Sequence, residues 1–147
     1  MFDGTGLPKR RSHSVGMSHQ DCGALGKRAN CQVTVTLHYC GPRGHFPLAL
    51  RLHLPESWTD APARLNAAGV PDAFSAHRTK DAIAMELLDQ TRAEGIVGGT
   101  VVADLGYGDA LVRAGLTERG WRYVVGVQAD CLVFPQKPSW VHPPRIG

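Results

Sequence analysis

The strongest constraint on the fold of this chain is a pair of alternating segments on either side of a short turn. In residues 30–39 the apolar side chains of Val33, Val35 and Leu37 alternate with polar ones. A second alternating set follows the turn and consists of Phe46, Leu48, Leu50, Leu52 and Leu54. Alternation with a period of two is typical of strands that bury one face. Because residues 41–44 form a glycine- and proline-containing turn, the two segments predict a β-hairpin with one buried face.

The second half of the chain favours helices that alternate with short strands. Helices are predicted over residues 61–68, 81–94 and 109–119, and buried strands over residues 100–103 and 123–127. Thr79 precedes the second helix as an N-cap. The side chains expected to face inward are Ile83, Met85, Leu87 and Leu88 in the second helix and Leu111, Val112 and Leu116 in the third. The last helix lies between the two strands, so these strands should be parallel.

These elements predict an α/β fold with a mixed sheet, in which an antiparallel hairpin joins a parallel unit and helices flank the sheet. The length of 147 residues and the 43% hydrophobic content fit one domain. We expect this domain to span residues 1–134 and a proline-rich, disordered tail to span residues 135–147. No apolar run approaches the roughly 18 residues of a membrane helix, so a cytoplasmic protein is the default expectation.

Positive charge is concentrated near the start of the chain. Residues 1–30 hold five basic and two acidic residues and so account for the whole net charge of +3. The basic residues are Lys9, Arg10, Arg11, Lys27 and Arg28. The segment is rich in glycine and serine and has no periodicity, which predicts an irregular basic loop. Clustered cations of this kind are suited to binding a phosphate backbone.

Asp104 is the first candidate functional residue. It ends a predicted buried strand and is followed by Gly106-Tyr107-Gly108. Open α/β sheets bind ligands at the carboxyl ends of their strands, which favours a functional role. An aspartate just ahead of a helix can equally serve as a cap. The sequence leaves both interpretations open.

Two enzyme classes can be compared with parts of the sequence. Residues 101–108 resemble the glycine-rich loop that binds S-adenosylmethionine in methyltransferases, but Gln128 stands where an acidic residue would bind the ribose. The segment Phe2-Asp3-Gly4-Thr5 resembles a haloacid-dehalogenase motif. That motif needs a nucleophilic aspartate two residues ahead of Asp3, and Met1 occupies the position.

A third interpretation uses Asp3 and Asp104 together. Two carboxylates held close to each other can bind divalent metal ions that activate a water or a hydroxyl for phosphoryl displacement. Short motifs in a fixed order relate this interpretation to a known protein family. They are Asp3-Gly4-Thr5-Gly6-Leu7-Pro8-Lys9, His13-Ser14-Val15-Gly16, Cys22-Gly23-Ala24-Leu25-Gly26-Lys27, Asn30-Cys31-Gln32-Val33, Leu52-His53-Leu54-Pro55-Glu56-Ser57-Trp58, Ala68-Gly69-Val70-Pro71, Thr79-Lys80 and Ala103-Asp104-Leu105-Gly106-Tyr107-Gly108. On these motifs, which cover roughly residues 3–135, the chain resembles an insertion-sequence transposase of the DDE superfamily.

The resemblance implies a ribonuclease-H-like catalytic domain that uses Mg²⁺ or Mn²⁺ to cut and transfer DNA strands at the ends of a transposon. It implies that Asp3 is the first metal-binding catalytic aspartate and Asp104 the second. It also suggests DNA contacts for the basic residues Lys9, Arg10, Arg11, Lys27, Arg28 and Lys80. An intact copy of the transposase is a possible further partner.

The sequence departs from the family pattern at two places. Gly4 replaces the acidic residue that usually follows the first aspartate. The family's third carboxylate is a glutamate beyond the second strand, whereas Asp130 is the only acidic residue after Val127. We therefore expect a catalytic domain truncated at both ends and inactive alone. A non-catalytic DNA-binding or inhibitory remnant is the alternative.

Overall fold

A computed structural model of the chain describes residues 1–10, 13–96 and 98–132. Within them the fold is mixed α/β, as predicted, with helices packed against sheet. The antiparallel and parallel strands, which we expected in one sheet, form a four-stranded antiparallel sheet and a two-stranded parallel sheet. The proline-rich tail predicted at residues 135–147 lies outside the described residues, as does Arg11. No helix of the described part is long and apolar enough to cross a membrane.

The antiparallel sheet is organised around one long strand, β3 (Lys27–Gly41). Three strands pair with it in antiparallel orientation: β1 (Phe2–Pro8), β2 (Ser18–Cys22) and β4 (Gly44–His53). The predicted hairpin is therefore confirmed as β3 and β4.

The prediction of an irregular loop over residues 1–30 is wrong. This segment forms β1, β2 and the beginning of β3. The strand β1 contains two glycines and a threonine, a composition that carries little periodic signal. It is held by pairing along its whole length with β3, from Phe2 opposite Leu37 to Pro8 opposite Cys31. Strand formation depends strongly on such tertiary pairing, which a single-sequence pattern does not show.

The prediction that the hairpin buries a single apolar face is also wrong in part. Val33, Val35 and Leu37 are buried, but Leu50 is 63% exposed. The register places Leu50 opposite Thr36, and directly opposed residues share a face of the sheet. Leu50 thus lies on the face opposite to that of the buried valines, because register decides which face an alternating set occupies.

Three helices follow the hairpin before the parallel sheet. They are α1 (Glu56–Thr59), α2 (Pro62–Ala67) and α3 (Lys80–Ala93), and α3 packs against β3 and β4. The Oγ1 of Thr79 accepts a hydrogen bond of 3.1 Å from the Ala82 amide, so the predicted N-cap is confirmed. In α3, Ile83, Leu87 and Leu88 are buried, as expected from their spacing.

The parallel unit consists of β5 (Thr100–Ala103), α4 (Ala110–Glu118) and β6 (Arg122–Val125). Its strands are parallel, as predicted. The inward orientation of Leu111 is wrong, since this side chain is 81% exposed while Val112 and Leu116 are buried. Consecutive residues of a helix point in directions about 100° apart, so the stripe through Val112 and Leu116 leaves Leu111 outside.

One hydrophobic core joins the two sheets. Phe2 of β1 and Val35 of β3 share it with Leu87 of α3, Val101 of β5 and Leu116 of α4. The strands β1 and β5 lie side by side, with Cα atoms within 8 Å of each other. The core therefore brings the beginning of the chain next to the carboxyl end of β5, where Asp104 follows.

Candidate active site at two aspartates

Asp3 lies in β1 and points away from the hydrophobic core. Its neighbour Phe2 is 1% exposed and belongs to the core, and side chains alternate along a strand. The carboxylate is half-buried, and its Oδ2 accepts a hydrogen bond of 2.9 Å from Thr5 Oγ1. On the neighbouring strand, Thr36 Oγ1 donates a 3.2 Å hydrogen bond to the Asp3 carbonyl oxygen. These contacts fix the backbone and one carboxylate oxygen of Asp3.

Asp104 follows β5 directly and its side chain is exposed. Its Oδ1 accepts a 2.9 Å hydrogen bond from the Gly106 amide, so it caps the 3-10 turn Leu105–Tyr107. Asp109 caps α4 in the same manner, through a 2.7 Å bond from the Leu111 amide. The cap interpretation therefore holds for Asp104. Capping occupies one carboxylate oxygen and leaves the other available for a ligand.

The structure brings the two predicted aspartates to neighbouring strands on the same side of the core. Asp104 follows Ala103, which is 6% exposed, in an extended conformation, so it points away from the core as Asp3 does. Among the described residues, however, no three histidine, cysteine, aspartate or glutamate side chains are grouped so that they could hold a metal ion.

Tyr107 is a further residue of this region, which the sequence analysis treated only as part of a glycine-containing segment. Its side chain is 3% exposed and its hydroxyl is buried without a hydrogen-bond partner. The ring lies 5.7 Å from that of Phe2 between centroids, and a Cβ atom placed on Gly4 would come within 3.3 Å of the Tyr107 hydroxyl. The phenol therefore lies against the core side of β1.

Burial and negative charge both act on the pKa of the Tyr107 phenol. Burial raises its pKa, and the charges of Asp104, Asp3 and Asp81 raise the pKa further, in that order. The phenol thus stays protonated near neutral pH and remains a hydrogen-bond donor. Asp81 lies in the first turn of α3, and burial followed by the charge of Asp109 raises the pKa of its carboxyl.

The glycines at the end of this segment serve close backbone packing. A Cβ atom on Gly108 would lie 1.8 Å from the carbonyl oxygen of Gly126, and one on Gly126 would lie 2.7 Å from the Leu105 amide. The segment after β5 and the segment after β6 therefore touch through their backbones. This contact explains why a glycine stands at position 108, and the explanation needs no cofactor.

The predicted DNA-binding residues lie at the other end of β1. Lys9 and Arg10 follow this strand, and the Lys9 amide donates a 2.9 Å hydrogen bond to the Asn30 carbonyl in β3. Lys27 and Arg28 begin β3, so these four exposed cations lie on adjacent strands. At a rise of about 3.3 Å per residue, six residues separate Asp3 from Lys9 by roughly 20 Å. Lys80, half-buried, begins α3.

A second charged group lies in a groove between β4 and α3. Arg51 and Arg78 both bind the carboxylate of Glu86, and the Arg78 bond is 3.1 Å long. The groove encloses about 650 Å³, and Phe74 lines it below the Arg51 guanidinium. No sequence pattern indicates this group, because its members are distant in the sequence.

Comparison with known proteins gives one family. The model of a family described as DDE superfamily endonuclease matches residues 1–147. No curated protein and no solved structure matches the chain significantly. The match covers both aspartates and all six basic residues considered above.

Proposed function

The chain belongs to the DDE superfamily endonucleases, and we propose that it is a transposase catalytic domain whose active site is built on Asp3 and Asp104. The family supports a transposase-like nuclease that acts on DNA. The observation that carries the proposal is that Asp3 lies in β1 and Asp104 directly follows β5, two strands that contact each other, and that both side chains point away from the core. We assign the domain to residues 1–134 and treat residues 135–147 as a tail.

We also propose that the fold is ribonuclease-H-like. The long hairpin, its partner β1 and the adjacent β5–β6 pair support this assignment. Helices α3 and α4 pack on these strands around one core. The strand β1 pairs with β3 and contacts β5, so it links the two sheets, and its Phe2 is buried.

The residues present fit a hard divalent cation, Mg²⁺ or Mn²⁺. Magnesium is usually held by one or two carboxylates together with waters and substrate phosphates, so a pair of aspartates is a sufficient protein contribution. The oxygen of Asp104 that does not cap the turn, and the second oxygen of Asp3, are suitable ligands. When bound, such a cation supplies Lewis-acid activation of the attacking oxygen and stabilises the charge on the leaving oxygen.

The other residues position the carboxylates of Asp3 and Asp104 and the DNA. Thr5 and Thr36 hold Asp3, and the Gly106 amide holds Asp104. The cations at the far end of β1 bind the phosphate backbone about 20 Å away, a distance of roughly six base pairs. These residues are Lys9, Arg10, Lys27 and Arg28, and we propose that Arg11, which follows Arg10 in the sequence, also contacts the DNA backbone. They orient the duplex without touching the reacting phosphate, while Lys80 offers a further contact.

We propose that the chain by itself cleaves DNA slowly or not at all. Metal-dependent phosphoryl transfer depends on fixing the cations, and a third carboxylate is the usual means in this family. Asp130 is the only acidic residue after Val127. An inactive chain that keeps the basic residues would still occupy transposon DNA and compete with, or pair with, an intact transposase.

Titration with Mn²⁺, followed by the loss of its free-ion EPR signal, tests the site. The wild-type chain should bind Mn²⁺, and Asp3→Asn and Asp104→Asn should each weaken binding at least tenfold. Asp60→Asn removes an exposed carboxylate that follows α1 and serves as the matched control. Equal affinity in all four proteins would contradict the proposed site.

A plasmid-nicking assay with Mg²⁺ or Mn²⁺ tests the activity separately. We expect nicking no faster than that of the Asp104→Asn variant. Turnover that Asp104→Asn abolishes would keep the assigned site and refute the inactivity of the isolated chain.

A further inference from the structure

The strand β4 has a groove along its free side. Among the described residues, β3 is the only strand that pairs with β4, and no other segment makes a backbone hydrogen bond to it. Residues 48–52 line the groove of about 650 Å³ in unbroken succession. Because successive side chains of a strand point to opposite faces of the sheet, a groove lined by all of them runs along the outer edge of the strand. The N–H and C=O groups of this edge are therefore available to an added strand.

The available edge has a defined length. Pro47 lies beside the irregularity in the pairing of β3 with β4, and proline has no N–H to donate. The groove begins at the next residue, Leu48, and follows the strand to Leu52. At about 3.3 Å per residue this stretch is roughly 16 Å long, which is the length of an extended pentapeptide.

The wall of the groove opposite β4 is largely apolar. The segment between α2 and α3 contributes Val70 and Phe74 to it, and α3 contributes Leu87. Phe74 is 51% exposed, and Leu50 on the strand side is 63% exposed. A strand added to β4 would cover part of both side chains, and burial of apolar surface favours its binding.

The groove also carries positive charge in excess at one place. Arg51 and Arg78 share the single carboxylate of Glu86, which leaves one unbalanced positive charge. The Arg51 guanidinium lies 5.5 Å from the centroid of the Phe74 ring and has donors that Glu86 does not use. The second acidic residue of the lining, Glu94, follows Glu86 by eight residues, roughly 12 Å along α3. A further carboxylate is therefore complementary to the two arginines.

We propose that the outer edge of β4 binds an extended segment of another protein as an added strand, with an acidic side chain of that segment between Arg51 and Arg78. Main-chain hydrogen bonds to β4 supply the affinity, and the two arginines with the apolar wall supply the specificity. This inference does not depend on the proposed active site.

Charge distinguishes such a partner from the chain's own segments. The strand β4 contains Arg51, His45 and His53 and no acidic residue, so two paired β4 edges would bring their arginines together. Residues 133–147 contain four prolines and no acidic residue, which suits neither the arginines nor a paired strand. An acidic segment of another protein matches both the backbone edge and the charge.

Fluorescence anisotropy with a labelled pentapeptide of the sequence valine-threonine-glutamate-threonine-valine tests the proposal. Its valine and glutamate side chains share one face, so the glutamate can lie opposite Arg51 while the valines meet the apolar wall. We expect saturable binding that weakens at least about tenfold when lysine replaces the glutamate. Arg78→Gln should weaken binding about fivefold. Arg43→Gln removes an exposed cation from the turn between β3 and β4 and is the matched control, with unchanged affinity.

Two N-methylated peptides test the strand pairing itself. Alternate amides of an extended peptide point to the same side, so methylation at the two threonines and methylation at the glutamate and the last valine block opposite edges. One of these peptides should lose binding and the other should retain it. In the wild-type chain, the unmethylated peptide should also slow the hydrogen exchange of amides within residues 48–52.

Several results would overturn the proposal. Absence of saturable binding, or equal affinities of the two methylated peptides, excludes an added strand. Binding that ignores both the peptide glutamate and Arg78→Gln excludes an acidic partner. Protection of residues 48–52 that grows with the concentration of the chain alone assigns the groove to a second copy, and protection by a single-stranded oligonucleotide but not by the peptide assigns it to DNA.

Discussion

Neutralising two of the four clustered cations should remove half of the contribution that this cluster makes to the salt dependence of DNA binding. Lys9, Arg10, Lys27 and Arg28 are exposed and lie on adjacent strands, which are about 4.8 Å apart in a sheet. Each phosphate neutralised contributes about −0.9 to the slope of log K against log salt. The four clustered cations therefore contribute about −3.6 to the slope, which corresponds to a roughly 150-fold weakening of binding between 50 and 200 mM salt.

The double variant Lys27→Gln/Arg28→Gln leaves two of these cations and should lower the contribution of the cluster to the slope to about −1.8, or roughly 12-fold over the same salt range. The matched control is Arg43→Gln/Arg122→Gln, which removes the same charge from two exposed positions outside the cluster. Fluorescence anisotropy with a labelled 30-base-pair duplex measures each slope. Equal slopes for the two double variants would refute the assignment of this cluster to DNA, because net charge alone would then explain the binding.

Three further predictions concern stability. Burial, followed by the charges of Lys80 and His77, lowers the pKa of His53 to about 4. The unfolded chain therefore binds the extra proton first, so stability should fall as the pH drops from about 6.5 to about 4. Urea denaturation of His53→Gln should show about 1 kcal/mol less of this loss, allowing for partial solvent screening. Thr79→Ala removes the cap of α3 and should cost about 1 kcal/mol by the same assay, whereas Thr79→Ser should retain most of it. Gly108→Ala would place a Cβ atom 1.8 Å from the Gly126 carbonyl oxygen. It should therefore lower the free energy of unfolding by about 3 kcal/mol or more. A melting temperature equal to that of the wild type would contradict the close backbone contact.

The sequence allowed prediction of the elements whose signals are local. The period of two predicted β3 and β4, and capping by Thr79 together with helical spacing predicted α3. The short apolar run at Thr100–Ala103 predicted β5. In each case the residues that carry the pattern are also those that the structure buries, because local preference and tertiary packing agree.

The remaining features depend on contacts between distant residues. The strand β1 exists because it pairs with β3, and the exposure of Leu50 follows from a register that no alternating pattern specifies. The neighbourhood of Asp3 and Asp104 was expected only from a family resemblance. Tyr107 was missed because an unpartnered hydroxyl becomes visible only when the surrounding chain is in place.

The most direct test of the central claim is a double-mutant cycle on Mn²⁺ binding with Asp3→Asn, Asp104→Asn and the combined variant. If both aspartates bind the same cation, wild-type Mn²⁺ binding depends on both, and the loss in the combined variant differs from the sum of the single losses in free energy. Strictly additive losses, or two independent sites of which each variant removes one, would contradict an active site shared by β1 and β5.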